Sequence, residues 1–141
     1  MAFTLDTATD FGARVVRHLE GDTVAWLTTV DPAGTPQPVP IWFLWTGSEF
    51  LVFSQRDKPK LRNIARNGRV ALNFRGTERG GDIVVFTGTA VIDFGEATSE
   101  EQSAYNVKYA EDMRRLGMTA DEFAQEYSVP IRIAPEKLRG F

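Results

Sequence analysis

One short stretch of the sequence combines several kinds of side chain that bind anions. From residue 53 to residue 63 it reads Phe-Ser-Gln-Arg-Asp-Lys-Pro-Lys-Leu-Arg-Asn, so a predicted strand ends where a helix begins. Hydroxyl and amide groups donate hydrogen bonds, lysine and arginine supply charge, and a helix N-terminus adds unpaired N–H groups. This combination predicts a phosphate-binding site. Its candidate residues are Ser54, Gln55, Arg56, Lys60 and Asn63.

The distribution of charge indicates the same region. Residues 56–79 carry eight positive and two negative side chains, a local charge of +6, whereas the rest of the chain carries −9. An acidic protein that concentrates its cations in one segment uses them on an anion. Nucleic acid is not predicted as a partner, because phosphate-backbone binding goes with a basic domain. A small phosphorylated ligand fits better.

The composition excludes several kinds of chemistry. The chain has no cysteine and one histidine, His18, so thiolate catalysis, zinc–cysteine sites, iron–sulfur clusters and multi-histidine metal sites are not predicted. Redox chemistry would therefore need a bound organic cofactor. No catalytic acid can be named from the residues. A non-catalytic carrier that stores or protects a cofactor or haem remains an alternative, and His18 provides one nitrogen for axial ligation of haem.

Length and hydropathy predict the number of domains and the cellular location. The 141 residues predict one domain spanning 1–141. No segment approaches the roughly 20 apolar residues of a membrane span, and the N-terminus lacks the features of a signal peptide. We therefore expect a cytoplasmic protein with no membrane partner.

The periodicity of apolar residues predicts a mainly β fold with flanking helices. Six strands with short connections indicate a six-stranded antiparallel barrel: Val24–Val30, Val39–Trp45, Phe50–Ser54, Arg69–Arg75, Asp82–Phe94 and Val129–Ile133. Helices are predicted over 7–19, capped by Thr7, and over 58–67, capped by Asp57. Two capping boxes, Thr98 with Glu101 and Thr119 with Glu122, start a helix ending near residue 117 and a shorter one ending near residue 127.

Two backbone signals refine this barrel. Pro36, Pro38 and Pro40 recur at every second position, which places them on an edge strand or beside a ligand, since proline donates no ladder hydrogen bond. Gly88, in the middle of a long strand, predicts a bulge or bend of the kind that curls a sheet.

The ordered patterns Val24–Gly34, Pro38–Phe43, Ser54 followed by Lys60–Ile64, and Arg69–Leu72 resemble the pyridoxamine-phosphate-oxidase-like split β-barrels. Within that family they are most similar to the actinobacterial branch that uses the deazaflavin coenzyme F420. The resemblance implies an FMN-binding split-barrel fold and a cofactor groove at a homodimer interface. It places Pro40, Ile41 and Trp42 along the cofactor ring, and Ser54, Gln55, Arg56, Lys60 and Asn63 at its phosphate.

The number of cations favours F420 over FMN as the cofactor. FMN ends at one phosphate, whereas F420 continues into a tail of several carboxylates, and Arg62, Arg66, Arg75 and Arg79 exceed the needs of one phosphate. The leading hypothesis is an F420-dependent reductase of a small unsaturated or conjugated substrate. An FMN-dependent oxidase or reductase of the same fold is the alternative. Candidate walls for an apolar substrate, or else barrel core, are Trp42, Trp45, Phe53, Phe74 and Tyr109.

Overall fold

A computed structural model describes residues 3–95 and 97–141. In chain order its elements are α1 (Asp10–Gly21), β1 (Ala25–Val30), β2 (Pro36–Ile41), β3 (Leu44–Trp45), β4 (Phe50–Ser54), α2 (Pro59–Arg66), β5 (Arg69–Asn73), β6 (Val84–Ile92), α3 (Ser99–Lys108), α4 (Ala110–Arg115), α5 (Ala120–Glu126) and β7 (Val129–Gly140). None of the helices in these two ranges is long and apolar enough to cross a membrane.

The strands form one antiparallel sheet in the order β2-β1-β5-β6-β7-β4-β3. The edge strands β2 and β3 do not pair with each other, so the barrel is split at this point. The predicted mainly β fold, a split barrel with flanking helices, is confirmed. The described chain has seven strands rather than six, because the segment predicted as one strand, Val39–Trp45, belongs to two strands, β2 and β3.

The break in that strand is the segment Trp42–Phe43, which we call the link. Before the link the chain pairs with β1, and after it the chain pairs with β4 at the opposite edge of the sheet. Every residue from Val39 to Trp45 is apolar, so the sequence pattern alone does not reveal the change of partner. The link therefore joins the two edges of the split barrel.

Two apolar clusters lie on either side of the link. The larger fills the barrel: Ala25 and Leu27 point inward from β1, and Phe43 contacts Phe50 and Phe74 edge-on at centroid distances of 5.7 and 5.6 Å. Edge-to-face contacts of this kind are the preferred geometry of aromatic rings. The smaller cluster joins the helices between β6 and β7, with Tyr105, Tyr109, Met113 and Phe123 at its centre.

Both backbone signals are confirmed. The proline-containing strand β2 is an edge strand. The pairing of β6 with β7 shifts by one residue after Thr87, because Glu136 is an extra residue in β7; the bulge thus lies opposite Gly88 rather than in its own strand. A Cβ at Gly88 would sit 2.1 Å from the carbonyl oxygen of Ala134, so only glycine allows this approach.

Helix starts were only partly predicted. Both capping boxes are present, at Thr98 and at Thr119. The first helix is capped by Thr9 rather than Thr7, because Thr9 Oγ1 accepts a hydrogen bond from the Gly12 amide at 2.9 Å. Asp57 does not cap α2: its φ of 60° turns the chain sharply, and Lys58 occupies the cap position without a side-chain hydrogen bond.

Helix ends and strand ends differ as well. The predicted helix to residue 117 is broken at Tyr109 into α3 and α4. The last strand runs seven residues past Ile133, to Gly140. The added residues form a strand because they pair with β6. Pro135 is accommodated beside the bulge.

Candidate cofactor-binding site

Two adjoining clefts open beside the link, and Lys60 lines both of them. The first, which we call the aromatic cleft, has a volume of about 420 Å³ and is lined by Val24, Pro40, Ile41, Trp42, Val52, Phe53, Lys60, Tyr105, Leu116, Phe123 and Tyr127. The second, the basic cleft, has about 510 Å³ and is lined by Thr29, Asp31, Pro32, Gln37, Val39, Lys58, Pro59, Lys60, Arg62, Asn63 and Arg66. Both volumes are typical of small-molecule sites.

Stacked rings build the aromatic cleft between the barrel and the helices. Trp42 of the link is nearly parallel to Tyr109, at a centroid distance of 4.6 Å, and to Phe123, at 5.3 Å. Phe123 in turn stacks on Tyr127 at 4.2 Å. Much of the indole face is therefore used in packing within the protein, which fixes the wall that Trp42 contributes.

Hydrogen bonds hold the link from the end of α3. The Tyr109 hydroxyl donates to the carbonyl oxygen of Thr23 at 2.7 Å and accepts from the Phe43 amide at 2.8 Å. Lys108 Nζ donates to the Phe43 carbonyl at 2.8 Å and lies 3.7 Å from the centre of the Phe43 ring. Burial raises the pKa of Tyr109, so its hydroxyl stays protonated, and burial lowers the pKa of Lys108 to about 8.

The other end of α3 is tied to the barrel through Arg132 of β7. Its guanidinium makes two hydrogen bonds of 2.8 Å to Glu101, one of 2.6 Å to Asp93 and one of 3.0 Å to Glu49. The hydrogen bonds from Arg132 lower the pKa of Glu101 to about 2. Since α3 is fixed at both ends, the helical wall of the aromatic cleft keeps its position against the barrel.

Lys60 stands at the junction of the two clefts. It lies in the first turn of α2 and is half-buried, and within residues 3–95 and 97–141 no hydrogen bond or ion pair involves its ammonium group. Burial, together with the charge of Lys58, lowers its pKa. A partly desolvated cation without a counter-charge favours an incoming anion, and the nearby helix N-terminus adds to that attraction.

The remaining cations of the basic cleft, Lys58, Arg62 and Arg66, are exposed, and the two arginines donate to main-chain oxygens. Arg66 donates to the Val30 carbonyl at 2.6 Å, and Arg62 donates to the Asp57 carbonyl at 3.1 Å. The one carboxylate lining the cleft, Asp31, is occupied by hydrogen bonds from the turn after β1, chiefly from the Thr35 amide, which lower its pKa. Four cations and this one carboxylate are among the described residues that line the cleft, so its electrostatic potential is positive.

Asn63 contributes to the basic cleft mainly as a structural residue. It is only 4% exposed, and its amide nitrogen donates to Thr29 Oγ1 at 3.0 Å. Its amide oxygen accepts from Arg66 at 3.2 Å. The side chain thus connects α2 to β1 and orients an arginine of the cleft.

The first three residues of the predicted phosphate stretch line neither cleft. Ser54 is 1% exposed and its hydroxyl donates to the Gln55 carbonyl at 2.8 Å. Gln55 donates to Glu126 at 2.6 Å, and Arg56 Nε donates to Ser128 Oγ at 3.3 Å. The left-handed turn at Asp57 separates these side chains, which face α5 and β7, from those of α2.

The other predicted residues are divided in the same way. Pro40, Ile41, Trp42 and Lys60 line the aromatic cleft together. Arg75 and Arg79 follow the end of β5 that is remote from α2, so two of the four surplus cations do not line either cleft. Of the candidate aromatic walls, Trp42 and Phe53 line the cleft, whereas Trp45, Phe74 and Tyr109 pack inside the protein.

The wall that the helices contribute was not predicted from the sequence. Its members are Tyr105, Leu116, Phe123 and Tyr127. The two capping boxes predicted the helices, and the spacing of Tyr105 and Tyr109 puts both on one face. Nothing local indicates that this face packs against the link, since the contact joins residues more than 60 positions apart in the chain.

The chain matches a known protein family over most of its length. Residues 11–140 match the model of the pyridoxamine 5'-phosphate oxidase family. The chain belongs to this family. Among curated proteins none matches it in sequence.

Solved structures of similar fold come from proteins with different roles. A candidate pyridoxamine 5'-phosphate oxidase from Listeria innocua is 22% identical, with a TM-score of 0.70 over 90% of this chain and 94% of that one. An F420 reductase is 24% identical, with a TM-score of 0.61 over 86% and 92%. HutZ, a heme storage protein from Vibrio cholerae, is 18% identical, with a TM-score of 0.65 over 94% and 95%. At these identities the likeness shows the fold alone.

The environment of His18 bears on the haem alternative for this member of the pyridoxamine 5'-phosphate oxidase family. Its Nδ1 lies 2.6 Å from Asp22 Oδ2, and its Nε2 lies 2.9 Å from Asp82 Oδ2. Burial opposes protonation, but the hydrogen bonds and charges of the two carboxylates outweigh it and raise the pKa of His18. Both ring nitrogens are engaged, so neither is available to bind iron in this conformation. The described residues contain no group of three potential metal ligands.

Proposed function

We propose that this chain is an oxidoreductase that binds coenzyme F420 and promotes hydride transfer to a small unsaturated or conjugated substrate. The proposal rests on the position of Lys60. This half-buried cation has no counter-charge in the described residues and lies at the junction of an aromatic and a basic cleft. A ligand with a flat ring and an anionic chain fits the two clefts, with its ring in the aromatic cleft and its chain in the basic cleft. Reduced F420, when bound, supplies the hydride.

The residues present fit such a ligand in both parts. Pro40 and Ile41 form an apolar wall along which a ring can lie, and because β2 is an edge strand, its outward-facing main-chain oxygens can accept hydrogen bonds from polar groups at the edge of the ring. Lys60 is the residue we assign to the phosphate. Lys58, Arg62 and Arg66 continue in the same direction and provide charge for a carboxylate tail.

The protein contributes mainly by positioning and by excluding water. The aromatic cleft is lined almost entirely by apolar and aromatic side chains, which hold two flat molecules in contact and keep solvent from the reacting atoms. Hydride transfer between such partners needs no nucleophile and no metal from the protein. A chain without cysteine and with one engaged histidine can therefore support it.

FMN remains the alternative cofactor, because Lys60 and the aromatic cleft suit its phosphate and ring equally well. The preference for F420 rests on Lys58, Arg62 and Arg66, which lie in the same cleft as Lys60 and are not required by one phosphate. Each exposed contact contributes only ~0.2–1 kcal/mol, but several acting on one tail favour the longer anion.

We also propose that the working form is a homodimer with the cofactor groove at its interface. Val24 and Leu116, which line the aromatic cleft, are 42% and 56% exposed, and Trp26, opposite Pro40 in the sheet, is 42% exposed. A second copy would cover this apolar rim. Sedimentation should give a dimer for the wild type and a monomer for Trp26→Glu. A wild-type monomer that still binds cofactor would contradict the shared groove.

A parallel titration with F420 and FMN, followed by cofactor fluorescence, tests the cofactor. We expect F420 to bind in the micromolar range or better and FMN far more weakly. The reverse order would assign the protein to the flavin-dependent branch. Binding of neither would refute the proposed function. Turnover of reduced F420 with conjugated acceptors then separates a reductase from a carrier, which would bind the cofactor without turnover.

A further inference from the structure

Tyr105 differs from every other polar side chain of the aromatic cleft in its access to water. It is 1% exposed, whereas Trp42, Lys60 and Tyr127 are half-buried. In the described parts of the chain its hydroxyl makes no hydrogen bond, although the neighbouring Tyr109 uses its own hydroxyl fully. Because no completely buried polar side-chain atom there lacks a partner, the Tyr105 hydroxyl must keep a small accessible surface. The aromatic cleft is the space that Tyr105 lines.

We propose that Tyr105 is a specificity-determining hydrogen-bond donor, which makes the aromatic cleft prefer flat ligands that carry a carbonyl or nitro oxygen over hydrocarbon rings of the same shape. This inference rests on the proposed function in taking the cleft as a ligand site. It narrows the substrate class to conjugated compounds with such an oxygen.

The surroundings of Tyr105 keep its hydroxyl a donor. Phe53 packs edge-on against its ring at 4.7 Å, and Tyr109 and Phe123 lie at 4.8 and 6.1 Å. Burial, with smaller contributions from Tyr109 and Tyr127, raises its pKa, so the hydroxyl stays protonated at neutral pH. These ring contacts hold the Tyr105 ring, and with it the hydroxyl oxygen, in one place.

The energetic consequence is a penalty for ligands that lack an acceptor. A ligand oxygen can replace water at the hydroxyl, but a hydrocarbon would displace that water and leave the donor unpaired. A buried donor that is left unpaired lowers the affinity of the ligand. We therefore expect a preference of about fivefold or more for the oxygen-bearing ligand.

The test compares 9-fluorenone with fluorene, two tricyclic molecules that differ by a carbonyl in place of a methylene. Dissociation constants are measured by tryptophan fluorescence and calorimetry for the wild type, Tyr105→Phe and Tyr127→Phe. We expect the wild type and Tyr127→Phe to prefer fluorenone about fivefold or more, and Tyr105→Phe to bind both alike. An unchanged preference in Tyr105→Phe, loss of the preference in Tyr127→Phe, or no binding of either probe to the wild type would overturn the proposal.

An infrared measurement on the wild type makes the test independent of how the variant folds. The carbonyl stretch of bound fluorenone should move to lower frequency than in an apolar solvent, because the oxygen accepts a hydrogen bond. A frequency equal to that in the apolar solvent would contradict the assignment. Titration of the same proteins with F420 separates the two proposals: a fluorenone preference without F420 binding refutes only the cofactor, and F420 binding without the preference refutes only the role of Tyr105.

Discussion

The aromatic and the basic cleft share Lys60, but different forces maintain their shapes. In the aromatic cleft the wall is packed against the protein interior: Trp42 stacks on the buried Tyr109 and on Phe123, and the link is held by buried hydrogen bonds. In the basic cleft Arg62 and Arg66 are exposed, and they contact main-chain oxygens rather than each other. The first cleft is formed by packing and the second by charge.

This difference predicts where substitutions act. Loss of the packing or the hydrogen bonds that support the aromatic wall should reduce the stability of the whole fold, because these contacts join the barrel to its helices. Changes in the basic cleft should leave folding nearly unaffected and reduce affinity for an anion instead, because exposed ion pairs add little to stability. Three experiments test that separation, from the largest expected effect to the smallest, and a fourth tests the burial of Lys108.

The largest effect is expected from Tyr109→Phe. The variant keeps the stacked ring but leaves the Phe43 amide and the Thr23 carbonyl without their partner, which should lower the free energy of unfolding by about 1–3 kcal/mol in urea titrations. Tyr127→Phe is the matched control, since no hydrogen bond in the described chain involves its hydroxyl, and we expect its stability to change by less than about 0.5 kcal/mol. Equal losses in the two variants would show that the link is not held by Tyr109.

The next effect is expected from Lys60→Ala, which should weaken binding of F420 by about tenfold or more, because a desolvated charge-assisted hydrogen bond is lost. Lys60→Met keeps the apolar stem and should lose nearly as much affinity. The exposed Arg66 is the matched cation, and Arg66→Ala should weaken binding only about twofold. Equal effects of Lys60→Ala and Arg66→Ala would show that Lys60, at the junction of the clefts, has no special role in binding the anion.

Salt should separate the two clefts further. Raising the salt concentration from 0.05 to 0.5 M screens exposed charges, so affinity for F420 should fall by about fivefold, while affinity for the uncharged probe fluorenone should stay constant or rise slightly. The readout is a pair of titrations at each salt concentration. An equal salt dependence for both ligands would mean that the aromatic cleft is also governed by charge.

The last prediction concerns the pH dependence of stability through Lys108. Its pKa is about 8 in the folded protein, below the ordinary 10.5, so the folded state binds fewer protons between these values. Stability relative to Lys108→Met should therefore rise as pH increases from about 8 to 10.5. Thermal melts of both proteins across this range provide the measurement. A difference that stays flat or falls would contradict the burial of this ammonium group.

The parts of the fold that depend on local signals could be predicted from the sequence. The edge position of β2 followed from its prolines, and the bulge beside Gly88 followed from the glycine. The capping boxes predicted where α3 and α5 begin. In each case the physical requirement, a missing donor, an absent side chain or an exposed amide, resides in the residue itself.

The parts that depend on distant contacts could not be predicted. An unbroken run of apolar residues passes through Trp42 and Phe43, although the chain there moves from one sheet edge to the other. Ser54, Gln55 and Arg56 have the chemistry of a phosphate site, but their hydrogen bonds go to the main chain, to α5 and to Ser128. The left-handed turn at Asp57, an uncommon conformation for a residue other than glycine, separates them from Lys60.

A crystal structure of the protein soaked with F420 tests the central claim most directly. We predict that one ligand spans both clefts, with its ring between the wall of Pro40 and Ile41 and the side chain of Tyr105. Its phosphate should lie within hydrogen-bond distance of Lys60, and its tail should run toward Arg62 and Arg66. A phosphate bound at Ser54, Gln55 and Arg56, or a ring outside the aromatic cleft, would contradict the account.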